Sequence, residues 1–195
     1  MIGSPQPTKG GERGVSDFEY IVGFYALLLG LAVANVALGF ADMWRDRERV
    51  EIGWCPPLLA GIVLLGAMNT WLSTWVTHQA VRVDAWQMIA ALFICLPYVF
   101  VSRAMTPPDH SDIGLETHYL KSRVPILLAL ALPPVFTVVT KIRLDHFHYG
   151  SVEEFWLAVR FLLPLTLITT PSVIAQRVGL AVIMALLVGG LFRYA

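Results

Sequence analysis

Hydrophobic and polar positions alternate along this chain in whole segments rather than residue by residue. From about Tyr20 onward, six long and mainly apolar stretches are separated by short polar ones. A helix needs about 20 such residues to cross a hydrocarbon core of about 30 Å. The pattern therefore predicts an all-α fold, an integral membrane bundle of six transmembrane helices with proline kinks. The spans are expected at about 18–43, 54–77, 84–103, 118–142, 151–169 and 171–193.

Local signals support these boundaries. Ser16 with Glu19, and Ser151 with Glu154, have capping-box spacing. Asp84 stands three residues before Gln87, and Pro56 and Pro57 occupy a first turn, where a missing N–H costs least. Pro97, Pro125, Pro133, Pro134 and Pro164 fall inside spans and predict kinks. Freed backbone groups cannot face lipid, so neighbouring helices or wet cavities must cover them. The Gly- and Pro-containing N-terminal residues predict a disordered polar tail over 1–15, which leaves 16–195 as a single six-helix domain. The tail does not have the form of a secretory signal.

Composition narrows the class. Of 195 residues, 56% are hydrophobic and 14% charged, and the mean hydropathy is +0.65. Soluble domains carry about 25% charged residues. The short connections leave no room for a separate catalytic head. The zero net charge removes the case for nucleic-acid binding. Cys55 and Cys95 read as small apolar side chains.

The partner expected first is the lipid bilayer. Small residues recur at helical spacing in the first span (Ala26, Gly30, Ala34) and the sixth (Ala181, Ala185, Gly189). Such faces let helices approach closely. Internal packing is the expectation, with a homo-oligomer or a larger membrane complex as the alternative. We call the end of the bundle where the first span begins side A, and the opposite end side B. Basic residues divide evenly, but Arg45, Arg47 and Arg49 cluster in a short side B loop. Positive-inside logic then turns side B toward the cytoplasm and places both termini outside.

The main candidate site lies in the second half of the second span. At 100° per residue, Asn69, Ser73 and Thr77 form one row, and Thr70, Thr74 and His78 form the row beside it. The stripe reads either as the lining of a pore or pocket, or as interhelical glue worth about 0.6 kcal/mol per contact. Two intramembrane charges join it: Glu19, which opens the first span, and Arg160, about two turns into the fifth. Glu19 is the first expected partner of Arg160, with Glu153 or Glu154 second; the alternative is that Arg160 snorkels to the interface. No catalytic motif occurs, and the His, Asp and Glu residues of the loops have no metal-ligand spacing, so no catalytic residue, metal or cofactor is expected. Trp54, Trp71, Trp75, Trp86 and Trp156 read as an interfacial belt.

Phe18-Glu19-Tyr20 leading into Leu29-Gly30-Leu31-Ala32, then Trp54, then Glu116-Thr117-His118-Tyr119 and Arg123, resembles a group of uncharacterised bacterial six-span membrane proteins. The resemblance covers about the first two-thirds of the chain. It implies a bacterial inner membrane and six helices, and no activity. Trp75-x-x-His78 and Leu96-Pro97-Tyr98 are loosely similar to bacterial relatives of the lysosomal potassium channel. The first-helix signature of those proteins is not matched, since Val15 stands at its Phe position. Together these readings predict a small channel or transporter-like protein with a polar path along the second helix. The alternatives are a non-catalytic subunit of a larger membrane complex and a membrane-embedded enzyme acting on lipid.

Overall fold

A computed structural model describes residues 17–45, 48, 51–76, 84–106, 114–143 and 151–192. The predicted tail, Ser16, Thr77 and His78 lie outside these residues. Among the described residues there are six helices and no strand: α1 Asp17–Arg45, α2 Cys55–Val76, α3 Ala85–Ala104, α4 Leu115–Arg143, α5 Val152–Thr169 and α6 Val173–Leu191.

Side chains close several of the helix starts. The carboxylate of Asp84 accepts from Gln87 N at 2.7 Å, and Ser151 Oγ accepts from Glu154 N at 3.2 Å. Each satisfies one of the backbone donors that a helix start leaves over. The last start is shifted from expectation. Ser172 is the cap of α6 and Pro171 precedes it, so the helix begins at Val173 rather than at the proline.

Five helices (all but α5) are long and apolar enough to cross a membrane. The expectation of six apolar spans is thus met in part. The reason is chemical: α5 is 18 residues long and carries Glu153, Glu154 and Arg160. Pro97, Pro125, Pro133, Pro134 and Pro164 all lie inside continuous helices.

Packing closes the helices into a ring in the order α1, α3, α4, α5, α6, α2. α2 also reaches across to α3 and α4, so it touches four of the other five helices and forms the hub. Its face of Leu59, Ile62 and Val63 is almost fully buried, together with Ala32 and Val36 of α1, Ala91 and Val101 of α3, and Leu180 of α6. Outward-facing Leu27, Leu38, Phe93, Leu128, Leu162 and Ile174 are exposed around the whole circumference. An apolar surface this wide suits lipid rather than water.

Polar contacts mark the two ends. At side B, the Leu115 N–H donates to Glu51 O at 3.1 Å, and Arg177 meets Glu116. At side A, Lys141 meets Glu154 at 3.2 Å, and the Arg143 guanidinium stacks over Trp86 at 4.8 Å. The helices therefore run alternately up and down.

The small-residue faces are not used as expected. Ala26, Gly30 and Ala34, and likewise Ala181, Ala185 and Gly189, all lie on the exterior, and a Cβ at Gly30 or Gly189 would meet nothing within 4 Å. Neither stripe closes the bundle. Close approach comes instead at Gly66, where a Cβ would fall 2.8 Å from Cζ of Tyr98. Gly66→Ala should therefore lower stability by about 1–3 kcal/mol through overpacking, while Gly30→Ala should leave it within about 0.5 kcal/mol. Unfolding in detergent followed by tryptophan fluorescence would read both, and equal effects would overturn this account of the packing.

Candidate functional site

The α2 stripe spends much of its polarity on packing. Asn69 is buried, and its amide donates to Leu187 O on α6 at 2.9 Å and to Leu65 O of its own helix at 3.0 Å. Its fit against α6 depends on Gly190, where a Cβ would lie 2.7 Å from Asn69 Oδ1. Thr74 donates back to Thr70 O at 2.9 Å, and its side chain lies near the Tyr25 hydroxyl on α1. Ser73 is half-buried beside them. Two rungs of the stripe, Asn69 and Thr74, thus serve packing, the first between α2 and α6 and the second within α2 beside α1. Trp71 and Trp75 face outward, as expected.

Thr70 is the rung that turns elsewhere. Its side chain and the Arg160 guanidinium both lie near the Tyr98 hydroxyl. Tyr98 and Arg160, with Ile62, Leu130, Pro134, Pro164, Ile183 and Leu187, line a cavity of about 20 Å³, room for about one water. Arg160 is eight residues into α5, about 12 Å along its axis. Five helices therefore meet around one arginine at mid-depth.

The prolines here have a specific consequence. A helical proline lacks the N–H that would bond the carbonyl four residues earlier. Pro164 therefore leaves the Arg160 carbonyl without its α-helical donor. Pro133 and Pro134 together leave the Leu130 carbonyl without one at either three or four residues' distance. Leu130 and Arg160 both line the cavity. The residues whose carbonyls are freed thus border the same hollow as the guanidinium.

Of the expected charge partners of Arg160, Glu19 and Glu154 lie elsewhere, and the Glu153 side chain is outside what the structure describes. Glu154 Oε1 accepts from Lys141, and Glu19 belongs to α1, which packs on α2 and α3 and contributes nothing to the cavity lining. Of the loop residues weighed as metal ligands, Glu116 and His118 are described. Glu116 is held by Arg177, and His118 Nε2 lies 3.1 Å from Ala104 O. Among the described residues no three His, Cys, Asp or Glu side chains cluster.

Sequence reasoning missed a second polar layer at side B. Arg177 donates to both Glu116 oxygens, Nε at 2.8 Å and Nη2 at 2.7 Å, and Cys55 Sγ donates to Glu116 Oε1 at 3.2 Å. Gly53, at φ +67°, lets the chain enter α2 against Glu116, whose Cβ a side chain there would meet at 2.7 Å. One turn deeper, the Tyr119 hydroxyl donates to Gln176 Oε1 at 2.6 Å. Gln176 Nε2 donates in turn to Leu167 O at 2.6 Å and Thr170 O at 2.7 Å, which satisfies carbonyls at the end of α5. A signal was present: Glu116 and Arg177 open two helices that begin on the same side.

No protein-family model, curated protein or solved structure matches this chain.

Two predictions test these assignments. Asn69→Leu would leave the buried Leu187 carbonyl without its side-chain donor and crowd Gly190, so it should cost about 1–3 kcal/mol of stability. A soluble, fully stable Asn69→Leu protein would contradict the packing role. For the side B layer, Glu116→Gln and Arg177→Met should each lower the unfolding midpoint, and the double variant should lose less than their sum. Strict additivity in that cycle would mean the pair is not coupled.

Proposed function

We propose that this protein is a small transporter-like membrane protein. All six helices, α5 included, cross the bilayer, and a solute is held at the Arg160–Tyr98 cavity. The observation that carries the reading is Arg160 itself. An arginine at mid-depth is costly, and within membrane segments such residues mark solute paths more often than structure. Here it faces the bundle interior, beside backbone freed by prolines, as in transporters whose sites lie where helices are interrupted. The polar path proposed along α2 is retained at Thr70. From there it leaves the Asn69 row and passes between α3, α4 and α5. The cavity holds only about one water, so passage requires the helices to part. Charged α5 is accommodated because Glu153 and Glu154 stand in its first turn at the interface, and Arg160 points away from lipid.

Flux through purified protein in liposomes, over a panel of small cations, anions and amino acids, tests this. Arg160→Gln should abolish transport of the accepted solute with the unfolding midpoint largely kept. Transport that survives Arg160→Gln unchanged would sink the reading.

The outward small-residue stripes of α1 and α6 favour a second reading, a subunit that associates through them. On that view Gly30→Leu and Gly189→Leu reduce the mass of the particle extracted from native membranes, while a transporter acting alone keeps its mass and its flux.

A further inference from the structure

The charge balance inside the bundle is uneven. Among the described residues, the carboxylates that enter the bundle already have a cation beside them: Glu116 meets Arg177, and Glu154 meets Lys141 through Oε1 while its Oε2 is buried without a hydrogen bond. Two arginines lie deeper than these pairs, Arg160 on α5 and Arg123 on α4. Neither has a carboxylate partner among the described residues. The Nε of Arg123 is buried with no hydrogen-bond partner. Arginine stays protonated at every accessible pH, so neither can escape the cost of burial by losing its charge.

Both arginines belong to one line of groups. Glu116, Tyr119, Arg123, Ile126, Leu127, Leu130 and Pro134 follow at three- and four-residue steps on one face of α4. At the side B end of this face stand the Glu116–Arg177 pair and the Tyr119–Gln176 bond. At its other end Leu130 and Pro134 line the Arg160 cavity. Between the two arginines lie Ile126 and Leu127, both fully buried. Arg123 precedes Leu130 by seven residues, about 10 Å along the helix. The face therefore offers two cationic stations separated by an apolar plug.

From this we infer that the solute is a small monovalent anion of halide or nitrate size, held first at the Arg160–Tyr98 cavity and exchanged with Arg123 across the Ile126–Leu127 plug. This rests on the transporter reading and names its substrate class. A single anion neutralises one guanidinium, and a cavity sized for about one water excludes larger carboxylates. The hydroxyl of Tyr98, which lines the cavity, supplies a further donor. The freed Leu130 carbonyl does not reverse the sign, because a carbonyl carries a partial charge and a guanidinium a full one.

The test uses the full chain in two measurements. In detergent, the unfolding midpoint is compared in sodium chloride, sodium nitrate and sodium gluconate at equal ionic strength. In liposomes, chloride efflux is measured with valinomycin clamping the potassium potential. Chloride and nitrate should raise the midpoint over gluconate in wild type, and the rise should vanish in Arg160→Gln. Arg160→Lys should keep part of it. Chloride efflux should fall about tenfold or more in Arg160→Gln, as expected for loss of a charge-assisted hydrogen bond. Arg123→Gln should slow efflux while leaving the chloride-dependent midpoint shift in place, a separation that misfolding would not produce. If the midpoint shift depends on Arg160 but no solute crosses, the anion site stands and the transporter reading falls. If a cation or neutral solute crosses and chloride shifts wild type no more than Arg160→Gln, transport stands and the anion inference is overturned. If neither appears, both fall.

Discussion

Inside hydrocarbon, a polar group that enters the bundle must find its partner within the bundle. That requirement organises this protein more than burial of apolar area does, because lipid tails are as apolar as the side chains they would replace. Its effect is visible in how α2 is connected. The hub helix is hydrogen-bonded to α6 through Asn69 and to α4 through Cys55 and Glu116, and it packs on α1 and α3 beside them. The apolar contacts around it are dense but unspecific in direction. The polar ones fix which helix lies where.

The two ends meet the requirement differently. At side B the groups saturate one another: a bidentate ion pair, a thiol, a tyrosine and a glutamine form a closed set that also satisfies carbonyls at the end of α5. The middle is less complete. Arg160 and Arg123 have no opposite charge among the described residues, and two proline sites leave carbonyls without helical donors. A structure that closes its accounts so fully at one end and leaves a cationic remainder at mid-depth directs attention to the remainder.

Much of the architecture was legible from residue type and period. Long apolar stretches gave the helices, and Asp84 and Ser151 marked starts that their side chains indeed cap. The places where expectation and structure part have physical reasons. Small residues at Gly30 and Gly189 look like packing seams at helical spacing, but spacing fixes only which residues share a face, never which way the face turns. Gly66 lies among larger residues and announces nothing, yet it takes the Tyr98 ring. Likewise the Asn69–Thr74 stripe was visible as a stripe, and whether it lines a path or joins helices depended on partners in α1, α3 and α6. Arg160 stood out as an intramembrane charge. Tyr98 did not, because a tyrosine in an apolar span is ordinary until its hydroxyl is seen beside a guanidinium.

The paired prolines of α4 give this helix an uneven mechanical character. Its first half, Leu115 to Ala129, is bolted to α2 and α6 through Glu116 and Tyr119, and its last turns are tied to α5 through Lys141 and Glu154. Between them, at Leu130, the backbone ladder has no rung to lose, so flexing there stretches no hydrogen bond. α4 therefore behaves as two stiff rods anchored to different neighbours and joined by a compliant segment. That segment lies at the level of Arg160, so any tilt of one rod against the other would widen or narrow the hollow around that arginine.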